Sequence, residues 1–394
     1  MRPVKQNMNA LIRIGGLLLS TVVAVPAMAD SPGVTEDSVK IGTFGPITGA
    51  NYALGRLPMN GLETVFDEVN AAGGIHGRKL QLVRVDDQCD PAGAIAAVRK
   101  LISDDQVFAI VGGSCSNGVL AAKEIIKEAG IPFVNFVGAS NKISAPEVQN
   151  IFTSMLSSNL ESELQAQRLV ELGVKKAAVV AQHDAWGRDR YESLLPALDA
   201  HGIELIADEE LSMESNDATA QVLRIQSSGA EAVVLLNYPK PAAIFLRDAA
   251  RLGFSSTFIG TSVIPDPVAF DELVAVPQAT KNFITISPSR YAIDSDEASE
   301  WRERLKKKFP DDTPPSFHLF GKKDGQLTTA TLEATKSNLT REALINALAN
   351  TTSLEATFAP ALLNCQTHQC LRAGAWIRRN DNGTAETVGI SVLK

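Results

Sequence analysis

The sequence predicts an α/β protein built on two parallel sheets, each covered by helices. Three observations carry that expectation. First, between residues 39 and 290 short β-branched apolar runs alternate with longer amphipathic stretches, punctuated by Gly, Pro and Asp. Second, the runs are too numerous for one comfortable sheet, so two fit better. Third, 394 residues with 45% hydrophobic and 21% charged side chains describe a globular chain of two or three domains. A formal net charge of -8 without a basic cluster argues against a nucleic-acid or anionic-membrane binder.

Taken in order, the chain opens with Arg2, Lys5 and Arg13 ahead of an apolar run from Ile14 to Val25, then Ala27, Met28 and Ala29. Residues 1–29 therefore read as a cleaved export signal; the run is shorter than the ~20 residues that span a bilayer. Removing its three cations takes the net charge to about -11. No later stretch is long and apolar enough to span, and no Cys follows the cleavage site to carry a lipid. The expected strands are Val39 to Phe44, Leu80 to Val85, Val107 to Val111, Pro132 to Phe136, Ile151 to Thr153, Ala177 to Val180, Ala232 to Leu236, Phe258 to Gly260 and Phe283 to Ile286. Apolar residues three and four apart predict helices over Met59 to Asn70, Ala94 to Leu101, Val119 to Ala129, Glu161 to Leu172, Tyr191 to Ala200, Ala218 to Ser227 and Ala242 to Leu252. Boundaries are expected near residue 150, after the polar stretch Asn141 to Asn150, and at Ser287 to Ser295. Helices over Glu297 to Lys308 and Phe317 to Lys336 then fit a return to the first half.

Four cysteines in an exported chain fit disulfides. Cys365 and Cys370 are the near pair, which leaves Cys89 with Cys115, a loop worth about 3 kcal/mol in the chain-entropy model. Spacing alone leaves the connectivity open. His368 between Cys365 and Cys370 raises a zinc reading, but no fourth ligand follows at the usual spacing, so no metal is expected.

In an open parallel sheet the ligand crevice lies beyond the carboxyl ends of the strands. The segments to inspect are therefore Gly45 to Gly55, Asp86 to Pro91, Gly112 to Gly118, Val137 to Asn141, His183 to Gly187, Asn237 to Lys240 and Thr261 to Asp266. Gly112 to Gly118 joins flexible backbone and small hydroxyls to a helix start, a cradle for a carboxylate or phosphate, although Ser116 or Asn117 capping a helix explains the same residues. Tyr52, Trp186 and Tyr238 fall in such loops, placed for ligand contact. Enzyme signatures are missing: no G-x-S-x-G elbow, no phosphate loop, and five His without metal-ligand spacing. His183, Asp184 and Cys115 are the remaining catalytic candidates, and no catalytic residue is expected.

Several motifs resemble the leucine/isoleucine/valine-binding protein family of periplasmic solute receptors. They are Ile41-Gly42-Thr43-Phe44-Gly45-Pro46-Ile47-Thr48-Gly49, Asn60-Gly61, Val69-Asn70-Ala71-Ala72-Gly73-Gly74-Ile75-His76-Gly77-Arg78 and Asp86-Asp87-Gln88-Cys89-Asp90-Pro91. Gly113-Ser114-Cys115-Ser116, Ala129-Gly130-Ile131-Pro132 and Gly138-Ala139-Ser140-Asn141 continue the likeness. The resemblance implies the type I periplasmic binding protein fold: two Rossmann-like lobes joined by three crossing strands, a ligand in the cleft, and delivery to a membrane ABC permease. It implies a Cys89–Cys115 disulfide, carboxylate binding by Ser114, Ser116, Ala139 and Ser140, and a cleft tyrosine at Tyr238. Trp186 stands where relatives have Tyr-Gly, offering a larger aromatic wall. Ser262 stands where the amino-acid receptors carry an acid that pairs with the ligand ammonium. Unless Asp184 or Asp266 substitutes, that loss favours a carboxylate without an amino group, such as an aromatic or keto acid. Arg56 is within reach of a second acidic group in that reading.

The resulting expectation is an exported, periplasmic, monomeric solute-binding protein without cofactor. One lobe comprises residues 30–150 with 290–352, the other 151–289 with 353–394, and hinge closure captures a small carboxylate, either an amino acid or an aromatic or keto acid. The rival expectations are an exported α/β hydrolase and a sensor domain working with a separate signalling partner.

Overall fold

The computed structural model describes residues 31–393 except 50, 265, 266, 277, 294, 313, 314 and 337. The expected export segment and Asp266 therefore lie outside the described residues.

In chain order the first half runs β1 (Ser38–Gly45), α1 (Arg56–Ala71), β2 (Lys79–Asp86), α2 (Pro91–Arg99), β3 (Ala109–Gly112), α3 (Ser116–Glu128), β4 (Phe133–Asn135), α4 (Asn141–Ser144) and β5 (Ile151–Thr153). These strands form one parallel sheet of order β2-β1-β3-β4-β5. The second half runs α5 (Ser158–Glu171), β6 (Lys176–Gln182), α6 (Ala185–Ala200), β7 (Glu204–Leu211), α7 (Thr219–Ser228), β8 (Ala232–Leu236), α8 (Pro239–Arg251), β9 (Thr257–Ile259), α9 (Pro267–Val274) and β10 (Phe283–Ser287). Then come α10 (Ser299–Lys308), α11 (His318–Ala334), α12 (Arg341–Ala349), β11 (Ala373–Arg379) and β12 (Ala385–Val392). The second sheet has the order β7-β6-β8-β9-β10-β11-β12.

The central strands are buried along their length because helices cover both faces, and their sequences are accordingly near-continuous apolar runs, as in the five buried residues Ala-Val-Val-Leu-Leu of β8. The sheet edges break that rule. Strand β7, Glu-Leu-Ile-Ala-Asp-Glu-Glu-Leu, is half exposed and studded with carboxylates, which discourage pairing with another chain. It carries no run that a search for apolar β-branched segments detects. Strands β11 and β12 are a second departure: β11 pairs antiparallel with both β10 and β12, so the second sheet is mixed where an all-parallel one is expected.

The boundary expected at residue 150 falls later. Ile151–Thr153 hydrogen-bonds in register to β4 and forms the edge of the first sheet rather than opening the second half. The chain passes between the halves after β5, after β10 and after α12. The first and third passages touch, since Thr153 accepts from the Cys370 N–H at 2.7 Å and donates its own N–H to the His368 carbonyl at 2.8 Å. The first is also pinned from α11. Lys323 Nζ donates to the Ser154 carbonyl at 2.9 Å and to Asp324 Oδ1 at 2.7 Å, and both side chains are fully buried. Burial lowers the Lys323 pKa and raises that of Asp324, while their mutual attraction opposes both shifts.

Helices α11 and α12 return to the first sheet. Helix α11 lies against α1 so closely that a Cβ on Gly321 would stand 1.8 Å from the Pro58 carbonyl oxygen, and one on Gly61 2.1 Å from that of His318. Glycine is required at both positions by this approach. Arg341 of α12 donates to the carbonyls of Val107 and Phe108 at 2.7 and 3.1 Å.

The four cysteines form Cys89–Cys115 and Cys365–Cys370, with Cα separations of 5.4 and 4.0 Å. His368 stacks on Phe152, ring centroids 4.2 Å apart. Its Nδ1 lies 2.9 Å from the Ile151 carbonyl, a structural role that accounts for the histidine beside the cysteines.

Candidate functional site

Both sheets reverse strand order beside their first strand, between β1 and β3 in one and between β6 and β8 in the other. A crevice opens at such a switch point because the adjoining helices leave on opposite faces. The loops that follow these strands meet around an inner cavity of about 80 Å³, lined from the first half by Asn51, Leu54, Cys89, the segment 114–117, Val137 and Ala139, and from the second by Trp186, Tyr238 and Val263. Every one of these residues lies in a segment that the strand pattern singles out. A wider outer cavity of about 410 Å³ adjoins it, sharing Ser116, Asn117 and Trp186 and adding Ser140, Lys142, His183, Asp184, Arg188, Asp189 and Glu192.

The first-half wall is polar and receptive to anions. Helix α3 starts at Ser116, and its N-cap, Cys115, supplies no side-chain cap. The backbone N–H groups of that first turn and the positive end of the helix dipole therefore remain for a ligand. The Cys89–Cys115 disulfide ties this turn to the loop after β2. Ser116 Oγ accepts the N–H groups of Ala139 and Ser140 at 3.1 and 3.2 Å, so three expected site residues converge and the hydroxyl proton is left to donate. Ser114 is buried, and its Oγ has no partner among the described residues. A Cβ on Gly45 would meet that oxygen at 2.5 Å, which explains the glycine at the end of β1.

The second-half wall is aromatic. Trp186 and Tyr238 stack with centroids 4.4 Å apart and planes 18° apart. Burial raises the Tyr238 pKa, with the Asp184 charge adding to the shift and Arg190 opposing it, so the phenol stays protonated at neutral pH. Helix α6 differs from α3 in that Asp184 caps it, accepting the Gly187 N–H at 2.8 Å. The N-terminus of α6, unlike that of α3, is thus already occupied by an anion of the protein itself. Beside the site, burial pushes the Asp87 carboxyl up to about 6, although the Cys89 N–H donates to it at 2.8 Å.

The eight expected ligand residues do not all arrive. Ser114, Ser116, Ala139, Trp186 and Tyr238 line the inner cavity. Ser140 lies in the outer one, where its Oγ accepts the Lys142 N–H at 3.4 Å at the start of α4. Tyr52 is displaced from the cavity wall. It packs in the apolar cluster of Leu57, Met59, Phe136 and Phe317, with the Arg56 guanidinium 4.3 Å above its ring. Arg56 Nε itself lies 3.4 Å from Asp312 Oδ1 and lines neither cavity. Ser262 is fully buried behind the wall, and its neighbour Val263 takes the lining position. Its hydroxyl and N–H both go to Glu161, at 2.5 and 3.0 Å. Glu161 in turn pairs with Arg190 at 2.7 Å, both side chains buried. Sequence reasoning misses this pair because each residue sits within a helix, where a charged side chain gives no sign of facing inward. The remaining catalytic candidates are dispersed. Cys115 is oxidised in its disulfide, and His183 is exposed with its Nδ1 2.6 Å from Glu210.

Comparison with known proteins agrees with this architecture. An amino acid binding protein of Pseudomonas aeruginosa is 30% identical over 250 residues, 62% of this chain and 66% of that one, just under two thirds of its length. Among solved structures, a fatty acid ABC transporter substrate-binding protein from Thermomonospora curvata superposes with a TM-score of 0.76 at 22% identity, over 91% of this chain and 93% of its own. A solute-binding protein of an R. palustris ABC transporter, solved in complex with benzoate, gives 0.75 at 21% identity over 90% and 96%. The fold is that of the type I periplasmic binding proteins. Residues 38–384 match the periplasmic binding protein family model, and the chain belongs to that family.

Proposed function

We propose that this protein is the solute-binding component of an ABC importer, and that it carries a small carboxylate in the crevice between its two sheets. The observation that supports this reading most directly is the composition of the inner cavity. One wall presents the uncapped N-terminus of α3 with the Ser114 and Ser116 hydroxyls, and the other presents the stacked Trp186 and Tyr238. A carboxylate is held by the first wall through charge-assisted hydrogen bonds, and an apolar body lies on the second. No bond need be made or broken. The two sheets with their helices act as lobes that rotate about the three crossing segments, and the closed form is what a membrane permease recognises.

On this reading the chain is exported to the periplasm as a monomer and works without a cofactor. Among the described residues no helix is long and apolar enough to cross a membrane. Relatives named for amino acids, fatty acids and benzoate place a carboxylate in common among the ligands of the fold.

The test is a thermal-shift screen followed by calorimetry. The panel holds leucine, valine and other amino acids beside aromatic, keto and dicarboxylic acids. Saturation at about 100 times Kd stabilises by about 2.7 kcal/mol, an easily seen rise in melting temperature. A panel on which no acid, with or without an amino group, stabilises the protein overturns the carboxylate reading.

A further inference from the structure

An ammonium group entering the crevice needs an anionic partner, because a desolvated charge without one is strongly disfavoured. None of the described residues lining the inner cavity is acidic. The carboxylate directly behind the wall is Glu161, which is held by three contacts and paired with a cation. Oε1 accepts the Ser262 N–H and the Arg190 Nη1, while Oε2 accepts the Ser262 hydroxyl. Arg190 cancels its charge from a position where it also supports the wall, its guanidinium carbon 4.5 Å from the Trp186 ring centroid. Three segments, α5, α6 and the turn after β9, are joined by this one buried pair. In the outer cavity Asp184 caps α6 and Asp189 accepts the Ser158 hydroxyl, and Glu192 lines it together with the cations Lys142 and Arg188.

We propose that the Glu161–Arg190 pair determines the ligand class. By neutralising the carboxylate beneath the wall formed by Trp186 and Val263, it makes this a site for carboxylic acids without an α-ammonium and discriminates against the corresponding amino acids. The inference rests on the carboxylate-binding reading above and narrows it. Arg190 and Glu161 act here as specificity-determining residues through the field they set, not through contact with the ligand. Two Arg190 nitrogens, Nε and Nη2, have no hydrogen-bond partner among the described residues. The guanidinium therefore depends on this one carboxylate, and changing either member leaves a net charge at the wall.

The experiment uses matched probes that differ by the ammonium alone: leucine against 4-methylpentanoate, and phenylalanine against 3-phenylpropanoate. Dissociation constants are measured by calorimetry on the full chain and on Arg190→Met, Glu161→Gln and the double variant. The wild type is expected to bind each des-amino acid at least about tenfold more tightly than its amino-acid partner. Arg190→Met keeps an apolar stem against Trp186 but leaves Glu161 uncompensated, so the ratio moves toward the amino acid by about tenfold. Glu161→Gln leaves Arg190 uncompensated and moves it the other way, and the double variant returns close to the wild-type ratio.

A merely structural pair would weaken both members of each probe pair alike and leave the ratio fixed. Wild-type preference for the amino acids, or an unmoved ratio in a folded single variant, overturns the proposal while leaving the carboxylate reading intact. If Arg190→Met does not fold, Glu161→Gln and Arg190→Lys decide. Arg190→Lys retains the cation and must retain the ratio, whereas Glu161→Gln must shift it. Binding of neither member of either pair, nor of benzoate, to the wild type overturns the carboxylate reading and this inference together.

Discussion

Ser116→Ala tests the polar wall through two separate readouts. The serine Oγ accepts the N–H groups of Ala139 and Ser140, residues only 3% and 9% exposed. Alanine leaves both donors without that acceptor, which costs about 1 to 3 kcal/mol of folding stability. It also removes the hydroxyl proton that the geometry leaves free to donate to a carboxylate, a charge-assisted bond worth about 1.5 to 3 kcal/mol. That corresponds to about 10- to 150-fold in Kd. The lower end is expected, because the freed N–H groups of Ala139 and Ser140 turn to the ligand and offset part of the loss. Melting curves without ligand read the first effect, and calorimetry with 4-methylpentanoate, benzoate and leucine reads the second. A lowered melting temperature with unchanged affinity for every probe that the wild type binds would show that Ser116 braces the loop and does not hold the ligand.

Three further outcomes follow from the same geometry. Ser114→Ala removes a buried hydroxyl that has no partner among the described residues, so its melting temperature should match or exceed that of the wild type while affinity for the carboxylate probe falls; a clear loss of stability would show that the hydroxyl is bonded within the fold. Asp87, with its carboxyl at about 6 against about 3.9 when unfolded, binds its proton more tightly in the native state. Stability from this group is thus fully present below pH ~4 and falls by about 3 kcal/mol as pH rises through ~6, a slope that Asp87→Asn should abolish in melts taken across that range. Gly321→Ala forces α11 off α1 because its Cβ meets the Pro58 carbonyl, and should cost about 3 kcal/mol or more by urea denaturation, whereas an effect below about 1 kcal/mol would mean that the helices separate easily.

Loop positions were legible from strand positions alone, and residue roles were not. Each residue of the inner cavity falls in a segment just past an expected strand, because parallel strands covered by helices place all their carboxyl ends on one side. Trp186 and Tyr238 were accessible in this way, and the loops of Ser114, Ser116 and Ala139 too, although those three residues were picked out within their loops only by the family resemblance. Tyr52 was not: it belongs to the right loop, but the short helix Tyr52–Leu54 turns its ring toward Leu57 and Phe317 while Asn51 and Leu54 take the wall. Within Thr261-Ser262-Val263 the same uncertainty arises over one residue, since successive side chains after a strand point to different sides.

What the sequence by itself determined is the α/β class, the doubled sheet and the set of loops around the crevice, since these follow from apolar periodicity and chain order, which are local. What only the tertiary structure decided is electrostatic. Glu161, Arg190 and Ser262 are separated by tens of residues, and the polar character of each is readable from its letter, but their burial against one another is not. The pairing cancels a charge buried beneath the cavity wall. Edge strand β7 and the antiparallel closure by β11 and β12 belong to the same category, because an edge needs no apolar pattern and a strand's direction depends on the partner it finds.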